Sequence, residues 1–354
     1  MQDAVECRFG GTARKVNIDV HAHYLPRSVV DAADAERDWH GVQFAVDDEG
    51  QLVSTTAAMR FPLPWPDFRA PISDRLAEMD RLRVDMQIIS LTPTLWRHEV
   101  EGHHAVDMAR DVNDETSAIV HEHPSRFAGF AFLPLQDAAA SVSELERSVR
   151  ELGLVGAAIS TNVDGEDWDS ARLYPVLEAA QALGALLFVH PASVRVRGML
   201  AKYHMRNLIG NPLETTIAIG SIIFGGVLDR LPDLRLVFAH GGGYAAFAAG
   251  RFDHGADVRP ESKGTQRPPA DYLRQLYFDD LTHSPLALRY LVDLVGIERV
   301  VLGSDFPADM GYRDPVGWLE HAPLLDDAEK QQILGGNLER LLQLPMAGAR
   351  LATA

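Results

Sequence analysis

Residues 16–24 read VNIDVHAHY, a short run in which polar and apolar side chains alternate. Because successive side chains of a β-strand point to opposite faces, Asp19, His21 and His23 would share one face of the strand. The apolar residues between them would pack against covering helices. Two imidazoles on one strand face are close enough to share a divalent ion. The run therefore predicts the first strand of a sheet that carries a metal site.

Seven further apolar runs, rich in β-branched residues, follow along the chain and are separated by stretches with helical periodicity. The predicted strands are 16–21, 84–91, 127–134, 155–160, 185–190, 235–240, 275–280 and 298–303. The clearest predicted helices are 73–83, 105–123, 139–152, 173–183 and 285–295. Strands that alternate with helices indicate βαβ units and a parallel sheet. Eight such strands in 354 residues favour an α/β fold of the (β/α)8 TIM-barrel type, as one domain over residues 1–354.

The spacing of the predicted strands is irregular after the first one. Residues 59–71, MRFPLPWPDFRAP, contain prolines and aromatic residues that do not suit a regular helix. We expect an insertion over the barrel mouth at about residues 25–73. A second excursion, residues 193–212, follows the fifth strand, and the Ala- and Gly-rich tail at about 345–354 is expected to be flexible.

Composition excludes several classes of protein. The formal net charge of −17, without any basic run, argues against nucleic acid as a partner, because phosphate backbones attract clustered Lys and Arg. Cys7 is the only cysteine, which rules out an intrachain disulfide and a cysteine-based zinc site.

The apolar runs are far shorter than the roughly 20 residues that cross a bilayer. The amino terminus has no apolar segment typical of a secretory signal. We therefore expect a cytoplasmic enzyme with no membrane association.

Polar residues end three more of the predicted strands. His190 ends ALLFVH, His240 ends RLVFAH, and Asp305 follows VVLGS. The carboxyl ends of barrel strands lie at one end of the barrel, where barrel enzymes build their active sites. Burying an aspartate and several histidines there without a cation would be costly. These residues, together with the pair on the first strand, predict one metal site.

A second His-x-His motif provides an internal contrast. His121 and His123 end a predicted helix, where side chains two residues apart are splayed by about 200°. We interpret them as a solvated helix end rather than a metal site. His103 and His104, at the start of the same helix, receive the same interpretation.

The motifs VNIDVHAHYLP, LLFVHPA, PLETT, LVFAHGGG with GRFD after it, and VVLGSDFP resemble those of the amidohydrolase superfamily. Within it they are similar to the branch that contains 2-amino-3-carboxymuconate-6-semialdehyde decarboxylase, over nearly the whole chain. The resemblance implies one metal ion per chain, usually Zn2+, with Mn2+ or another divalent ion possible. The residues that match the ligand positions are His21, His23, His190 and Asp305.

The resemblance also assigns roles around the metal. His240 matches the acid/base histidine, and Asp305 would take part in catalysis as well as in metal binding. The predicted fourth strand ends at residues 160–162, Ser-Thr-Asn, without the lysine of the binuclear amidohydrolases, so a bridged two-metal site is not expected.

Substrate-binding residues are implied in the same way. Arg251 matches an arginine that reaches the site of a neighbouring subunit and holds a substrate carboxylate, which implies a homodimer; an intersubunit salt bridge is the alternative. Tyr203 lies near an aromatic substrate contact. A second arginine is expected in the insertion, with Arg60 and Arg69 as candidates. Asp280 stands where the decarboxylase has a serine, and is a further candidate contact.

The expected activity is zinc-dependent, non-oxidative decarboxylation of an aromatic or dienoic, muconate-type carboxylic acid. The same metal site is compatible with a hydrolase or hydratase acting on a lactone, an amide or a C–C bond of a ring-cleavage product. A barrel that binds a metal or a small acid without catalysis is a third alternative.

Overall fold

The computed structural model describes residues 16–48, 51–56, 60–62 and 66–343. The predicted flexible tail at 345–354 and the single cysteine, Cys7, lie outside the described residues. Within the described ranges no helix is both long enough and apolar enough to cross a membrane.

The described strands number eleven. In chain order they are β1 (Ile18–Tyr24), β2 (Gln43–Val46), β3 (Leu52–Thr55), β4 (Arg60–Pro62), β5 (Met86–Leu91), β6 (Phe127–Ala131), β7 (Gly156–Ser160), β8 (Leu186–His190), β9 (Arg235–Phe238), β10 (Tyr277–Asp279) and β11 (Val300–Val301). Eight of them form one parallel sheet in the order β1-β5-β6-β7-β8-β9-β10-β11.

The sheet closes on itself through β1 and the segment that follows β11. The backbone N–H of Val20 donates to the carbonyl oxygen of Leu302 at 2.9 Å, and the N–H of Asp305 donates to that of His21 at 2.8 Å. A parallel bridge between Ala22 and Phe306 continues this pairing. The predicted eight-stranded α/β barrel is therefore confirmed.

Thirteen α-helices are described. They are α1 (Arg27–Asp34), α2 (Ile72–Leu82), α3 (Gly102–Glu122), α4 (Ala138–Arg150), α5 (Tyr174–Leu183), α6 (Asn211–Phe224), α7 (Val227–Arg230), α8 (Ala245–Val258), α9 (Pro269–Leu273), α10 (Pro285–Val295), α11 (Pro315–Glu320), α12 (Asp327–Gln331) and α13 (Asn337–Leu342).

Local sequence accounts for where the main helices begin and end. The side chains of Asp137 and Ser284 accept backbone hydrogen bonds at the amino ends of α4 and α10, the role in which Asp and Ser are favoured. Gly184 caps the carboxyl end of α5, and its φ of 63° is in the left-handed region that glycine adopts most easily.

Alternation along β8 separates the barrel interior from the helical layer. Leu187 and Val189 pack in one apolar cluster with helix residues such as Val176. Phe188 faces the interior, because its ring centroid lies 4.9 Å from that of His21. The last interior position of this strand is His190, so the alternation of β8 delivers an imidazole to the carboxyl end of the barrel.

The segment between β1 and α2 contains α1 and a small antiparallel sheet of β2, β3 and β4. Arg27, Leu52 and Phe68 from this segment line the cavity at the carboxyl end of the barrel. The description of residues 25–73 as an insertion, within a single domain, stays a prediction.

Candidate metal centre

Four side chains converge at the carboxyl end of the barrel. His21 and His23 come from β1, His190 ends β8, and Asp305 follows β11; one ligand atom of each lies within 4.8 Å of the others. The Nε2 atoms of His21 and His23 are 3.2 Å apart, and each is 3.2 Å from Oδ1 of Asp305. All four residues are buried. These are the four residues that the family resemblance implies as metal ligands.

The outer ring nitrogens of the two β1 histidines are held by other side chains. Nδ1 of His21 lies 2.7 Å from Oδ2 of Asp279, and Nδ1 of His23 lies 2.9 Å from Oγ of Ser90. These contacts orient the rings so that both Nε2 atoms face the centre of the cluster, as is usual for metal-binding histidines.

His190 tests whether a metal fits this cluster. Both of its ring nitrogens are buried, and no described residue offers either of them a hydrogen bond. Three imidazole nitrogens and one carboxylate oxygen form a ligand set that suits zinc and related divalent ions. The geometry and the donor atoms therefore fit a mononuclear divalent-metal site.

The electrostatics of the cluster favour the metal-binding ionisation state of three of the four groups, and His21 is the exception. Burial raises the pKa of Asp305, but the neighbouring histidines, His21 foremost, bring it well below its ordinary value. Burial lowers the pKa of His23 to about 4 and that of His190 well below its usual value. Although burial also lowers the pKa of His21, Asp305 and Asp279 raise it on balance to about 10, so metal binding would displace a proton there.

His240 lies beside this cluster. Its ring centroid is 5.2 Å from that of His21 and 5.0 Å from that of His190. Its Nε2 atom is 3.7 Å from Oδ2 of Asp305, while Oδ1 of the same carboxylate lies 3.2 Å from Nε2 of each β1 histidine. His240 is thus next to the metal ligands and retains access to the cavity.

The three glycines after His240 set its position. All three have positive φ values, 60° to 74°, and a Cβ atom on Gly243 would lie 2.1 Å from the carbonyl oxygen of Pro212. The N–H of Gly241 donates to Oδ1 of Asp279 at 2.8 Å. Only glycine combines a positive φ with so close an approach, which explains the three glycines that follow β9 and His240.

The contrasting His-x-His motif does not join the cluster. His121 lies in the last turn of α3, where its Nδ1 is 2.8 Å from the carbonyl oxygen of Ser117, and His123 caps the helix. The rings of His103 and His104 lie against each other at the start of α3, 4.0 Å between centroids.

A cavity of about 1500 Å³ opens onto the metal centre. His23, His190, His240 and Asp305 lie in its wall. Further lining residues include Phe68, Arg69, Trp96, Arg97, His98, Asp164, His204 and Arg206. A cavity of this volume accommodates a small organic substrate.

The candidate substrate-binding residues differ in whether they line this cavity. Arg69 lines it and forms an ion pair with Asp34. Arg60 is exposed, and its Nη2 lies 3.2 Å from Oδ2 of Asp47. It is not among the residues that line the cavity. Tyr203 is 81% exposed and does not line the cavity, although its neighbour His204 does.

The other two candidates, Arg251 and Asp280, do not line the cavity of their own chain. Arg251 is exposed on α8. Asp280 is fully buried, and its Oδ1 accepts a hydrogen bond from the N–H of Gly303 at 2.9 Å. Burial holds the pKa of Asp280 well above its ordinary value. Strand alternation explains this position, because the preceding residue, Asp279, takes the side that faces His21.

Several residues next to the metal centre or in the cavity wall are not predicted from the sequence. They are Asp279 and Ser90, which orient the β1 histidines, and Trp96, Arg97 and His98, which line the cavity. Each lies at or shortly after the carboxyl end of a barrel strand, β10 or β5. That location is the signal that could have identified them.

Comparison with known proteins agrees with this geometry. The amidohydrolase family model matches residues 18–344. A 2-amino-3-carboxymuconate-6-semialdehyde decarboxylase of Dictyostelium discoideum is 34% identical over 339 residues, which cover 94% of this chain and 92% of that protein. A 2-keto-4-carboxy-3-hexenedioate hydratase of a Sphingobium species is 26% identical over 363 residues, which cover 94% of this chain and 97% of that protein.

A solved structure supports the same assignment. The 5-carboxyvanillate decarboxylase of Sphingomonas paucimobilis superposes with a TM-score of 0.79 and 26% sequence identity, over 93% of this chain and 99% of that chain. Fold, ligand set and sequence match agree over nearly the whole length. The chain belongs to the amidohydrolase family.

Proposed function

We propose that this protein is a metal-dependent carboxy-lyase that removes CO₂ from an aromatic or dienoic, muconate-type carboxylic acid without oxidation. The observation that carries the proposal is the buried cluster of three histidines and Asp305, open to a cavity, with His240 at 3.7 Å from Asp305. Similarity to two decarboxylases supports this chemistry over others that the same metal site could perform.

Zinc is the metal we propose. The ion would be held by His21, His23, His190 and Asp305. Zinc is commonly bound by imidazole nitrogens, whereas manganese prefers sites with more oxygen ligands, so three imidazoles and one carboxylate favour zinc. A bound divalent ion would supply Lewis acidity that polarises an oxygen of the substrate.

His240 is the proposed proton-transfer residue. Loss of CO₂ from an unsaturated carbon requires that a proton take its place, so a group able to exchange protons must face the reacting carbon. His240 lines the cavity, and its Nε2 lies 3.7 Å from Oδ2 of Asp305. The imidazole of His240 would deliver a proton to the carbon as CO₂ leaves.

A hydratase or hydrolase is the second candidate. The 26% identity to a hydratase over 94% of this chain favours this candidate. The chemistry is also compatible, since the same metal and histidine could activate a water molecule instead of protonating a carbon atom. Arg69, which lines the cavity, is a proposed contact for a substrate carboxylate in either case.

The discriminating experiment is a CO₂-release assay with the zinc-loaded protein. The panel would contain ortho-hydroxybenzoates, ortho-aminobenzoates and a muconate semialdehyde, and the metal-free protein is the control. We expect CO₂ from at least one acid, at a rate that falls to background without metal. Turnover of lactones or ring-cleavage products without CO₂ would instead support the hydratase or hydrolase.

We also propose a homodimer in which Arg251 reaches the neighbouring active site and binds a substrate carboxylate. Helix α8 exposes Arg251 together with Phe247, one turn away, and Tyr244 at the N-cap of the helix is also exposed. Leu286 and Tyr290 of the neighbouring α10 are also exposed. An exposed apolar surface of this kind is typical of a protein interface.

Mixed dimers test the role of Arg251. One chain carries Arg251→Ala and the other His240→Ala, each with a different affinity tag, and the heterodimer is isolated with both tags. In a two-fold dimer one site keeps both residues and the other loses both. We expect each homodimeric variant to be nearly inactive and the heterodimer to regain about half of the wild-type rate.

Two results would contradict this arrangement. A wild-type rate in the Arg251→Ala homodimer would leave Arg251 as a salt-bridge residue at most. An inactive heterodimer, at full metal content, would mean that Arg251 serves the site of its own chain.

A further inference from the structure

The chain segment after β5 forms one wall of the cavity. Strand β5 is followed by a short 3-10 turn, Pro93–Leu95, and then by Trp96, Arg97 and His98, all of which line the cavity. His190 and His240 line the same cavity, so the wall and the metal centre share one solvent space. None of these three wall residues belongs to the cluster of four metal-ligating side chains.

Trp96 and Arg97 have fixed positions in this wall. The indole N–H of Trp96 donates to the carbonyl oxygen of Leu91 at 3.0 Å, and the indole ring centroid lies 6.0 Å from that of His190. Nη2 of Arg97 donates to Oγ of Ser54 at 2.5 Å, which ties the wall to β3. The wall is therefore a preformed surface with an aromatic face beside a metal ligand.

His98 differs from both neighbours in its hydrogen bonding. The residue is 7% exposed, both ring nitrogens are buried, and no described residue offers either nitrogen a hydrogen bond. Among the described residues that line the cavity, only three histidines have a buried ring nitrogen in this condition: His98, His190 and His240. Because two of these belong to the metal centre, His98 is the one whose partner is unexplained.

The surroundings of His98 indicate what kind of group it would bind. Burial lowers the pKa of its imidazole to about 4, while Asp164 and Arg172 act on it in opposite directions. A neutral imidazole offers one donor and one acceptor. A hydroxyl group also combines a donor with an acceptor, whereas a carboxylate would only accept and would approach Asp164, which lines the cavity.

We propose that His98 is a specificity-determining residue that hydrogen-bonds a ring hydroxyl of a hydroxylated aromatic acid bound beside Trp96. The inference rests on the proposed function, because it assumes an aromatic acid in this cavity. It adds the residue that would distinguish a hydroxylated ring from an unsubstituted one. Leaving a buried polar group unpaired is the general source of strong discrimination against ligands that lack a hydroxyl.

The test compares the affinities of simple acids by titration calorimetry on the zinc-loaded protein. The probes are benzoate, 3-hydroxybenzoate and 4-hydroxybenzoate, and the measured quantity is the ratio of dissociation constants between benzoate and the tighter hydroxybenzoate. We expect a ratio of about ten for the wild type, close to one for His98→Phe, and an intermediate ratio for His98→Asn, which retains a donor and an acceptor. Benzoate itself should bind the variants and the wild type equally.

The matched control is His103→Phe, because His103 is exposed at the start of α3 and lies outside the cavity wall. This variant should keep the wild-type ratio. Metal content and thermal unfolding verify that each variant is folded, and His98→Ala is read in the same way if His98→Phe does not fold. A wild-type ratio near one, or a ratio of ten that survives His98→Phe or His98→Ala, would overturn the proposal.

Failure of this inference can be separated from failure of the proposed function. Calorimetry measures binding and does not depend on turnover. A protein that releases CO₂ but shows no dependence on His98 refutes only the specificity role. A protein that prefers hydroxybenzoates through His98 but releases no CO₂ refutes only the decarboxylase.

Discussion

Replacing Asp305 by alanine is expected to remove the divalent ion and the activity together. Asp305 provides the single carboxylate of the cluster, and its Oδ1 lies 3.2 Å from Nε2 of both His21 and His23. Without it, three neutral imidazoles would have to hold a doubly charged ion in a buried site. We expect metal affinity to fall by more than about 100-fold, since even second-sphere substitutions can cost 10- to 100-fold.

Metal content and thermal unfolding measure this effect independently of the substrate. A bound ion stabilises the native state by mass action, so a chelator should lower the melting temperature of the wild type but not that of Asp305→Ala. His121→Ala is the matched control, because His121 belongs to the His-x-His motif at the end of α3. It should retain one ion per chain. If Asp305→Ala also retained one ion per chain, the proposed ligand set would be wrong.

Replacing His240 by alanine should have the opposite signature, in which the metal stays and turnover is lost. His240 lies beside the ligands and is not one of the four clustered groups. Proton transfer by a positioned side chain typically contributes 10²- to 10⁴-fold to a rate, so we expect a fall in kcat of about that size. The measurements are kcat for CO₂ release under saturating substrate and the metal content of the same sample.

A histidine on the protein surface provides the control for this substitution. His321 ends α11 and its Nδ1 lies 2.6 Å from the carbonyl oxygen of Gly317, so His321→Ala should leave kcat unchanged. A near-normal kcat in His240→Ala would refute its assignment as the proton-transfer residue. Loss of metal together with activity would mean that His240 acts by supporting the site.

The two His-x-His motifs illustrate how far sequence alone could distinguish a site from a decoy. His21 and His23 fall in an alternating apolar run, and His121 and His123 fall at the end of a helical pattern. The period of the surrounding residues determines whether side chains two positions apart share a face. The structure agrees with that distinction, because only the first pair joins the cluster with Asp305.

The positions of the substrate candidates could not be obtained in this way. Arg60 and Arg69 are separated by nine positions in a segment without regular periodicity, yet only Arg69 lines the cavity. Which of them reaches the barrel mouth depends on the path of the small sheet of β2, β3 and β4 across it. No local pattern encodes that path.

The sequence by itself determined the eight barrel strands, the helices between them and the strand ends at which His21, His190 and Asp305 stand. These features follow from periodicity and from the common direction of parallel strands. Only the tertiary structure decided that Asp279, and not Asp280, contacts His21, and that His98 is buried in the cavity wall with no described partner. Such contacts depend on strand register and loop path, which bring together residues as distant as positions 21 and 279. The contacts of these side chains are therefore defined only in the closed barrel.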